Sequence, residues 1–365
     1  MDSIKQKNTR NYGIDALRCL AMLCIACLHV MNQGGALGTA RGAAASLLQP
    51  LRVLCSCGVN LYALISGWVL VNGKFRPARI LELWLQVLFW NLVIAGVGTL
   101  LQPGIMRGFW LRYCLPVTQK CFWYFSAYVG VWLLTPILNP GIRGLTEGQA
   151  RWMVLALFLA FSLGTALGYA WQGDPWGIGA GYSVLWLLAL YLMGACARRG
   201  RLGEGLSPWT LLLIAGAAVA VSCTFRGILD NAGELPEFWE KQRSMLLYYN
   251  RPALTLCSLA LLLLFARLRI PRTLEGLIRW LSPLTFGVYI IHVHHVIWVS
   301  ILGLYQPLGA LPALLVVPAV ILAGGGLLLA CALLDWGRAW VFKRLRIRQR
   351  IEDSLTNLTP RRGDH

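Results

Sequence analysis

The chain is organised as a series of long apolar segments separated by short polar ones. Ten stretches of mostly apolar residues follow one another, each close to the roughly 17 to 25 residues that a helix needs to cross a hydrocarbon core. Because a helix satisfies its own backbone hydrogen bonds in lipid, this pattern predicts an all-α, polytopic transmembrane bundle of about ten helices. The segments lie at about 13–33, 50–71, 79–102, 122–139, 152–171, 181–197, 208–223, 248–266, 281–302 and 310–334.

The composition supports the same class of protein. Apolar residues make up 57% of the chain and charged residues 13%, with a mean hydropathy of +0.61. A soluble globular protein of this length does not need so much apolar surface. No linker and no internal repeat is visible. We therefore predict one membrane-embedded domain over 1–335, followed by a basic tail over 336–365 whose simplest role is to contact anionic membrane lipids.

The net charge of +18 indicates an orientation. About two thirds of the 33 Lys and Arg fall in the N-terminal segment, in alternate loops and in the C-terminal tail, which the positive-inside rule assigns to the cytoplasm. We therefore predict that both ends of the chain are cytoplasmic and that the number of crossings is even. The charges are scattered over short loops, which argues against a nucleic-acid partner. Met1–Arg10 is short and polar, and no small-residue cleavage site follows it, so we expect no cleaved signal.

The first apolar segment, NYGIDALRCLAMLCIACLH (11–29), carries an arginine and a histidine, Arg18 and His29. Their spacing comes to about three helical turns, so both side chains share one face and lie roughly 16 Å apart along the axis. An arginine inside a membrane is costly and is by default a functional candidate. Asp15, one turn from Arg18, is its expected ion-pair partner. His29 is a candidate general base, although a histidine that merely bonds to a neighbouring helix is the alternative.

A second candidate site lies at the start of the third segment, in KFRPARILELW. Arg76 and Arg79 lie three residues apart around Pro77, which fits the first turn of a helix. Two guanidiniums beside the free N–H groups of a helix N-terminus can bind phosphate. Ordinary positive flanking of a membrane helix is the alternative. Glu82, one turn deeper, faces the same side as Arg79, and we expect it to pair with Arg79 or with a residue of the first helix.

Three further sets carry weaker signals. Ser66 is a candidate substrate-binding residue, although it and the glycine after it suit a close helix approach more than chemistry. Trp123 and Tyr124 are placed to bind a substrate, or else they belong to the aromatic belt at the outer interface. His292 is a further candidate substrate-binding residue. It lies with two further histidines on the ninth predicted helix, without an acidic or sulfur ligand to complete a metal site, so we predict no metal. Most of the cysteines lie in apolar segments, where free Cys acts as a small hydrophobe.

With these residues in hand, the chain resembles the acyltransferase-3 family of bacterial membrane proteins over nearly its whole length. The family pattern of an arginine, ten residues and a histidine is matched by Arg18 and His29, and the later motifs follow in order. Two positions depart from the family pattern, because Glu82 stands where a proline is frequent and Phe122 where a histidine is common. The later motifs are matched by Ser66 and Gly67, by Arg76 and Arg79, by Trp123 with Leu134–Thr135–Pro136, and by Phe286 to His292.

The resemblance implies a membrane O-acyltransferase, most simply an O-acetyltransferase, in the bacterial cytoplasmic membrane. Acyl-coenzyme A would be a co-substrate rather than a permanently bound cofactor, with its phosphates on Arg76 and Arg79. Its thioester would extend past Arg18, and His29 would activate a hydroxyl of a surface or lipid-linked carbohydrate presented from the outer side. A transporter with a buried His and Arg relay is the alternative, although the repeats that many transporters contain are not visible.

Overall fold

A computed structural model describes residues 10–108, 110–119, 121–168, 173–244 and 247–358. Throughout these ranges the chain forms helices and connecting turns, without a strand. The α-helices, in chain order, are α1 (Tyr12–Met31), α2 (Ala36–Thr39), α3 (Gly42–Leu70), α4 (Pro77–Leu101), α5 (Trp110–Cys114), α6 (Trp123–Gly144), α7 (Glu147–Leu157), α8 (Thr165–Gly168), α9 (Val184–Arg199), α10 (Pro208–Asp230), α11 (Glu237–Ser244), α12 (Pro252–Arg267), α13 (Arg272–Leu281), α14 (Thr285–Val293), α15 (His295–Ile301), α16 (Gln306–Gly309), α17 (Ala313–Arg344) and α18 (Ile347–Leu358).

The predicted class of an all-α polytopic bundle is confirmed. Each of the ten apolar segments overlaps a helix, and within the described ranges eight helical segments are long and apolar enough to cross a membrane. The predicted sixth and eighth segments correspond to α9 and α12, which have 16 residues each. Both are enclosed by protein on most of their surface, as expected of helices at the centre of a bundle. The number of crossings and their orientation therefore stay predictions.

The predicted ninth helix is not continuous, and in this respect the prediction was wrong. It begins earlier, at Arg272, passes through a 3-10 turn at Ser282–Leu284, and breaks at His294. His294 has an extended backbone, and its Nδ1 accepts the backbone N–H of Val296, so it caps α15. His292 therefore lies on α14, whereas His295 begins a separate helix.

A close helix approach in the core depends on two glycines. A Cβ atom added to Gly67 of α3 would collide with the carbonyl of Tyr191 on α9, and one added to Gly194 of α9 would collide with the carbonyl of Leu64. The two backbones are therefore in direct contact, as small residues allow in membrane bundles. The close approach predicted at Ser66–Gly67 is confirmed.

A buried carboxylate on α17 forms an ion pair within this helix and hydrogen bonds with α4. Asp335 is fully buried, and both of its carboxylate oxygens bond to the guanidinium of Arg338 one turn later. Gln86 and Trp90 of α4 donate to the same carboxylate. α17 continues past the predicted domain boundary at 335 to Arg344, and the tail residues 359–365 lie outside the described ranges, as do residues 1–9.

Candidate active site

His29 lies on the wall of a cavity of about 300 Å³, at the lower end of the size range of small-molecule sites. α1, α3, α6 and α14 contribute most of the wall. Aromatic and aliphatic side chains dominate, and none of the lining residues is acidic, lysine or arginine. The lining comprises Met22, Ile25, Leu28, His29, Gln33, Val59, Tyr62, Trp123, Tyr124, Tyr182, Tyr249, Phe286, Tyr289, Val293 and Trp298.

A chain of hydrogen bonds orients the imidazole of His29. Nδ1 of His292 contacts the backbone carbonyl of Val288, which can only accept, so this nitrogen carries the proton. In a neutral His292, Nε2 then has a free lone pair, and it lies 3.0 Å from Nδ1 of His29. His29 therefore donates from Nδ1, and its Nε2 is left as the unprotonated nitrogen. Nε2 has no hydrogen-bond partner in the described part of the chain. The rings of His29 and Trp298 are nearly perpendicular, with 4.9 Å between their centroids.

Arg18 belongs to a separate polar cluster on α1. Its NH1 atom lies 3.0 Å from Asp15 and 3.2 Å from the hydroxyl of Ser282. The Ser282 hydroxyl donates to the same Asp15 carboxylate, and Arg10 binds its other oxygen. The expected ion pair between Asp15 and Arg18 is thus present. Three donors share one carboxylate, which offsets the cost of placing these charges inside the bundle.

The two polar sites lie at opposite ends of the same helix pair. Arg18 contacts Ser282, and His29 contacts His292. Arg18 and His29 are eleven residues apart on α1, and Ser282 and His292 are ten residues apart on the segment that ends in α14. The two segments therefore run parallel, side by side. Tyr62 connects the sites, because its ring lines the cavity and its hydroxyl donates to the backbone carbonyl of Arg18 at 3.1 Å. The Arg18 side chain does not line the cavity that contains His29.

Arg76 and Arg79 are exposed at the start of α4, with Pro77 in its first turn. Neither guanidinium has a partner within the described ranges. Arg79 and Arg18 both lie within electrostatic range of the Tyr128 hydroxyl, so these arginines approach the same part of the interior. The ion pair predicted for Glu82 was wrong, because no described basic side chain forms an ion pair with this carboxylate.

The remaining predicted residues divide into two groups. Trp123 and Tyr124 line the cavity beside His29. The hydroxyl of Tyr124 is buried and makes no hydrogen bond to any residue that the structure describes, which differs from a residue of an interfacial belt. Ser66, in contrast, donates to the carbonyl of Tyr62 on its own helix and does not line the cavity.

Several lining residues were not identified from the sequence. Tyr289 lies inside the motif that ends at His292, so its helical position was a usable signal. Tyr182 and Tyr249 come from connections between helices, and only the fold brings them together with Trp123. The described residues contain no group of three or more His, Cys, Asp or Glu able to hold a metal ion.

Comparison with known families gives one match, in which the acyltransferase domain model Acyl_transf_3 covers residues 11–336. The match extends from the N-cap of α1 into α17 and so includes every residue of the two polar sites except Arg10. Comparisons with curated proteins and with solved structures found no match. The family match and the apolar helices together show that this chain belongs to the acyltransferase-3 family and is a multi-pass membrane acyltransferase.

Proposed function

We infer that the chain transfers an acyl group, most simply acetyl, from acyl-coenzyme A to a hydroxyl of a surface or lipid-linked carbohydrate. The reaction would take place in the bacterial cytoplasmic membrane, with the donor on the cytoplasmic side and the acceptor on the outer side. The observation that carries the proposal is the contact of His29 Nδ1 with His292 on the wall of an aromatic cavity. This contact assigns the proton to Nδ1 and leaves Nε2 without a hydrogen-bond partner among the described residues.

His29 would act as the general base. The acceptor oxygen attacks the thioester carbonyl while Nε2 takes the proton of the hydroxyl. The C–S bond then breaks, and the proton passes from His29 to the sulfur of coenzyme A. His292 is a positioning residue, because it fixes the His29 ring without touching the reacting atoms.

The donor would approach from the Arg18 end of the bundle. Arg76 and Arg79 are exposed at a helix N-terminus, and neither guanidinium has a partner among the described residues, which suits the phosphates of coenzyme A. Glu82 is available on the same side to accept a hydrogen bond from the donor. Arg18, held by Asp15 and Ser282, lies between this end and the cavity, where it would orient the pantetheine arm.

The proposal is tested by removing the base. His29→Ala should lower the rate of acyl transfer by about 10²- to 10⁴-fold, the usual contribution of general-base catalysis. Binding of acyl-coenzyme A should persist, because the phosphates lie at the other end of α1. The measurement is release of coenzyme A by the purified chain with a surface-glycan extract as acceptor.

His295→Ala is the matched control, since His295 does not line the cavity and should keep the wild-type rate. Arg18→Ala should impair donor binding or folding together with turnover. A folded His29→Ala protein that transfers at the wild-type rate would exclude this mechanism. Transmembrane flux of a solute without acyl-coenzyme A, together with an absence of transfer, would support the transporter alternative.

A further inference from the structure

Three aromatic rings, Trp123, Tyr182 and Tyr249, form a continuous surface on the cavity wall, here called the aromatic platform. The ring centroids of Trp123 and Tyr182 are 4.7 Å apart, and those of Tyr182 and Tyr249 are 4.9 Å apart. Trp123 and Tyr249 are nearly parallel, with 13° between their planes and 6.2 Å between centroids. Tyr182 is 54% exposed, so the platform extends from the cavity that contains His29 to the molecular surface.

The surrounding structure holds the platform in place. Asn60 of α3 donates to the backbone carbonyl of Tyr249 at 2.7 Å, and Trp186 fixes the Asn60 side chain from α9. The backbone N–H of Tyr249 donates to Ala180 in the neighbouring connection. Gly181 has φ +92°, and a Cβ atom there would collide with the Tyr249 side chain. Rings that are ordered in advance lose little conformational entropy when a ligand binds.

The chemistry of the cavity favours a neutral ring that carries hydroxyl groups. The lining has no charged side chain with which to neutralise an ion. On the same cavity wall, the Tyr124 hydroxyl and the side-chain amide oxygen (Oε1) of Gln33 are buried and have no hydrogen-bond partner among the described residues. Buried polar atoms of this kind are rare unless a ligand or water satisfies them. An aromatic face carries partial negative charge and attracts weakly positive C–H groups.

A pyranose ring combines these properties, with C–H groups on its faces and hydroxyls around its rim. We propose that the aromatic platform binds a pyranose ring of the acceptor and directs one hydroxyl toward His29, with Tyr124 and Gln33 bonding to its neighbours. This assignment rests on the proposed transfer to a carbohydrate. A quaternary ammonium group, which also binds aromatic cages, is the competing ligand in the test.

The test measures binding to the full-length chain in lipid nanodiscs by saturation-transfer NMR. The probes are the methyl glycosides of glucose, galactose and N-acetylglucosamine, with tetramethylammonium as the competing ligand. We expect the wild type to bind at least one pyranoside and Tyr182→Ala to bind it about tenfold more weakly. Tyr182→Phe should retain most of the affinity, because the ring remains. Trp152→Ala is the control, since Trp152 is 70% exposed on α7 and does not line the cavity.

Binding of tetramethylammonium alone, no pyranoside binding, or equal binding by Tyr182→Ala would overturn the proposal. Kinetics separates it from the proposed function. Tyr182→Ala should raise the KM for a glycan acceptor about tenfold and change kcat by less than about twofold. Acyl transfer with an unchanged acceptor KM in this variant would refute the platform and leave the transfer reaction standing. Platform-dependent pyranoside binding without any acyl transfer would refute the reaction and leave the platform standing.

Discussion

His292 determines which nitrogen of His29 can take a proton. It accepts from Nδ1 of His29 and is itself anchored on the Val288 carbonyl. His292→Phe removes the acceptor and should lower kcat by about 10²-fold, the lower end of what a general base contributes. The KM for acyl-coenzyme A should not change. His292→Gln should recover part of the rate, because its amide oxygen can accept from Nδ1, and equal rates for wild type and the Phe variant would contradict the assignment.

The proposed donor site depends on Arg76 and Arg79. Each alanine variant should weaken binding of acyl-coenzyme A, and lysine should restore only part of the affinity, because it cannot form the paired hydrogen bonds of a guanidinium. Direct titration of coenzyme A onto the purified chain measures this. Arg272→Ala is the control, because Arg272 is an exposed arginine at the first residue of another helix, α13. Unchanged affinity in both alanine variants would leave ordinary positive flanking as the explanation of this motif.

At the scale of the helices, the contact of α3 with α9 has little tolerance for added volume. Gly67→Ala and Gly194→Ala each place a methyl group against a backbone carbonyl, which cannot move aside as a side chain can. Each should destabilise the protein by about 1–3 kcal/mol, the usual cost of overpacking, and lower the unfolding temperature in detergent. Gly216→Ala on α10 is the matched control, because its new methyl group meets no neighbouring atom. Equal unfolding temperatures for Gly67→Ala and Gly216→Ala would show that α3 and α9 can separate at little cost.

The predicted and observed elements differ where distant residues decide the outcome. The apolar segments and the Ser66–Gly67 pair are local signals. The first predicted the all-helical bundle, and the second predicted the close approach of α3 and α9. The sequence has no proline or glycine next to His294 that would predict the break in the helix. It is accommodated by Tyr113 of α5, whose ring stacks on His294 and whose hydroxyl accepts the backbone N–H of His295. The spacing of Arg18 and His29 likewise predicted a shared face, but not their partners on a segment more than 250 residues away.

At the scale of the whole molecule, the proposed reaction would use two sites at opposite ends of one helix pair. The ends are defined by Arg18 with Ser282 and by His29 with His292, and the cavity includes only the second. In this proposal the thioester would pass the region of Tyr62, the one described side chain that both lines the cavity and bonds to the backbone of Arg18. Composition alone could predict the bundle and its charge bias. The position of Tyr62 between the two polar sites depends on three-dimensional packing and could not be predicted from the sequence.

Orientation in the membrane can be tested with two pairs of positions. Between Lys74 and Glu237 lie α4, α6, α7 with α8, α9 and α10, and these five crossings would place the two residues on opposite sides. Lys74→Cys and Arg269→Cys should react with a membrane-impermeant maleimide only after permeabilisation, whereas Glu237→Cys should react in intact cells. The background should carry Cys114→Ser, because Cys114 is the exposed native cysteine.

If Lys74 and Glu237 report the same side, the 16-residue α9 does not cross the membrane. If Glu237 and Arg269 report the same side, α12 does not cross, and either result would contradict the ten-helix arrangement.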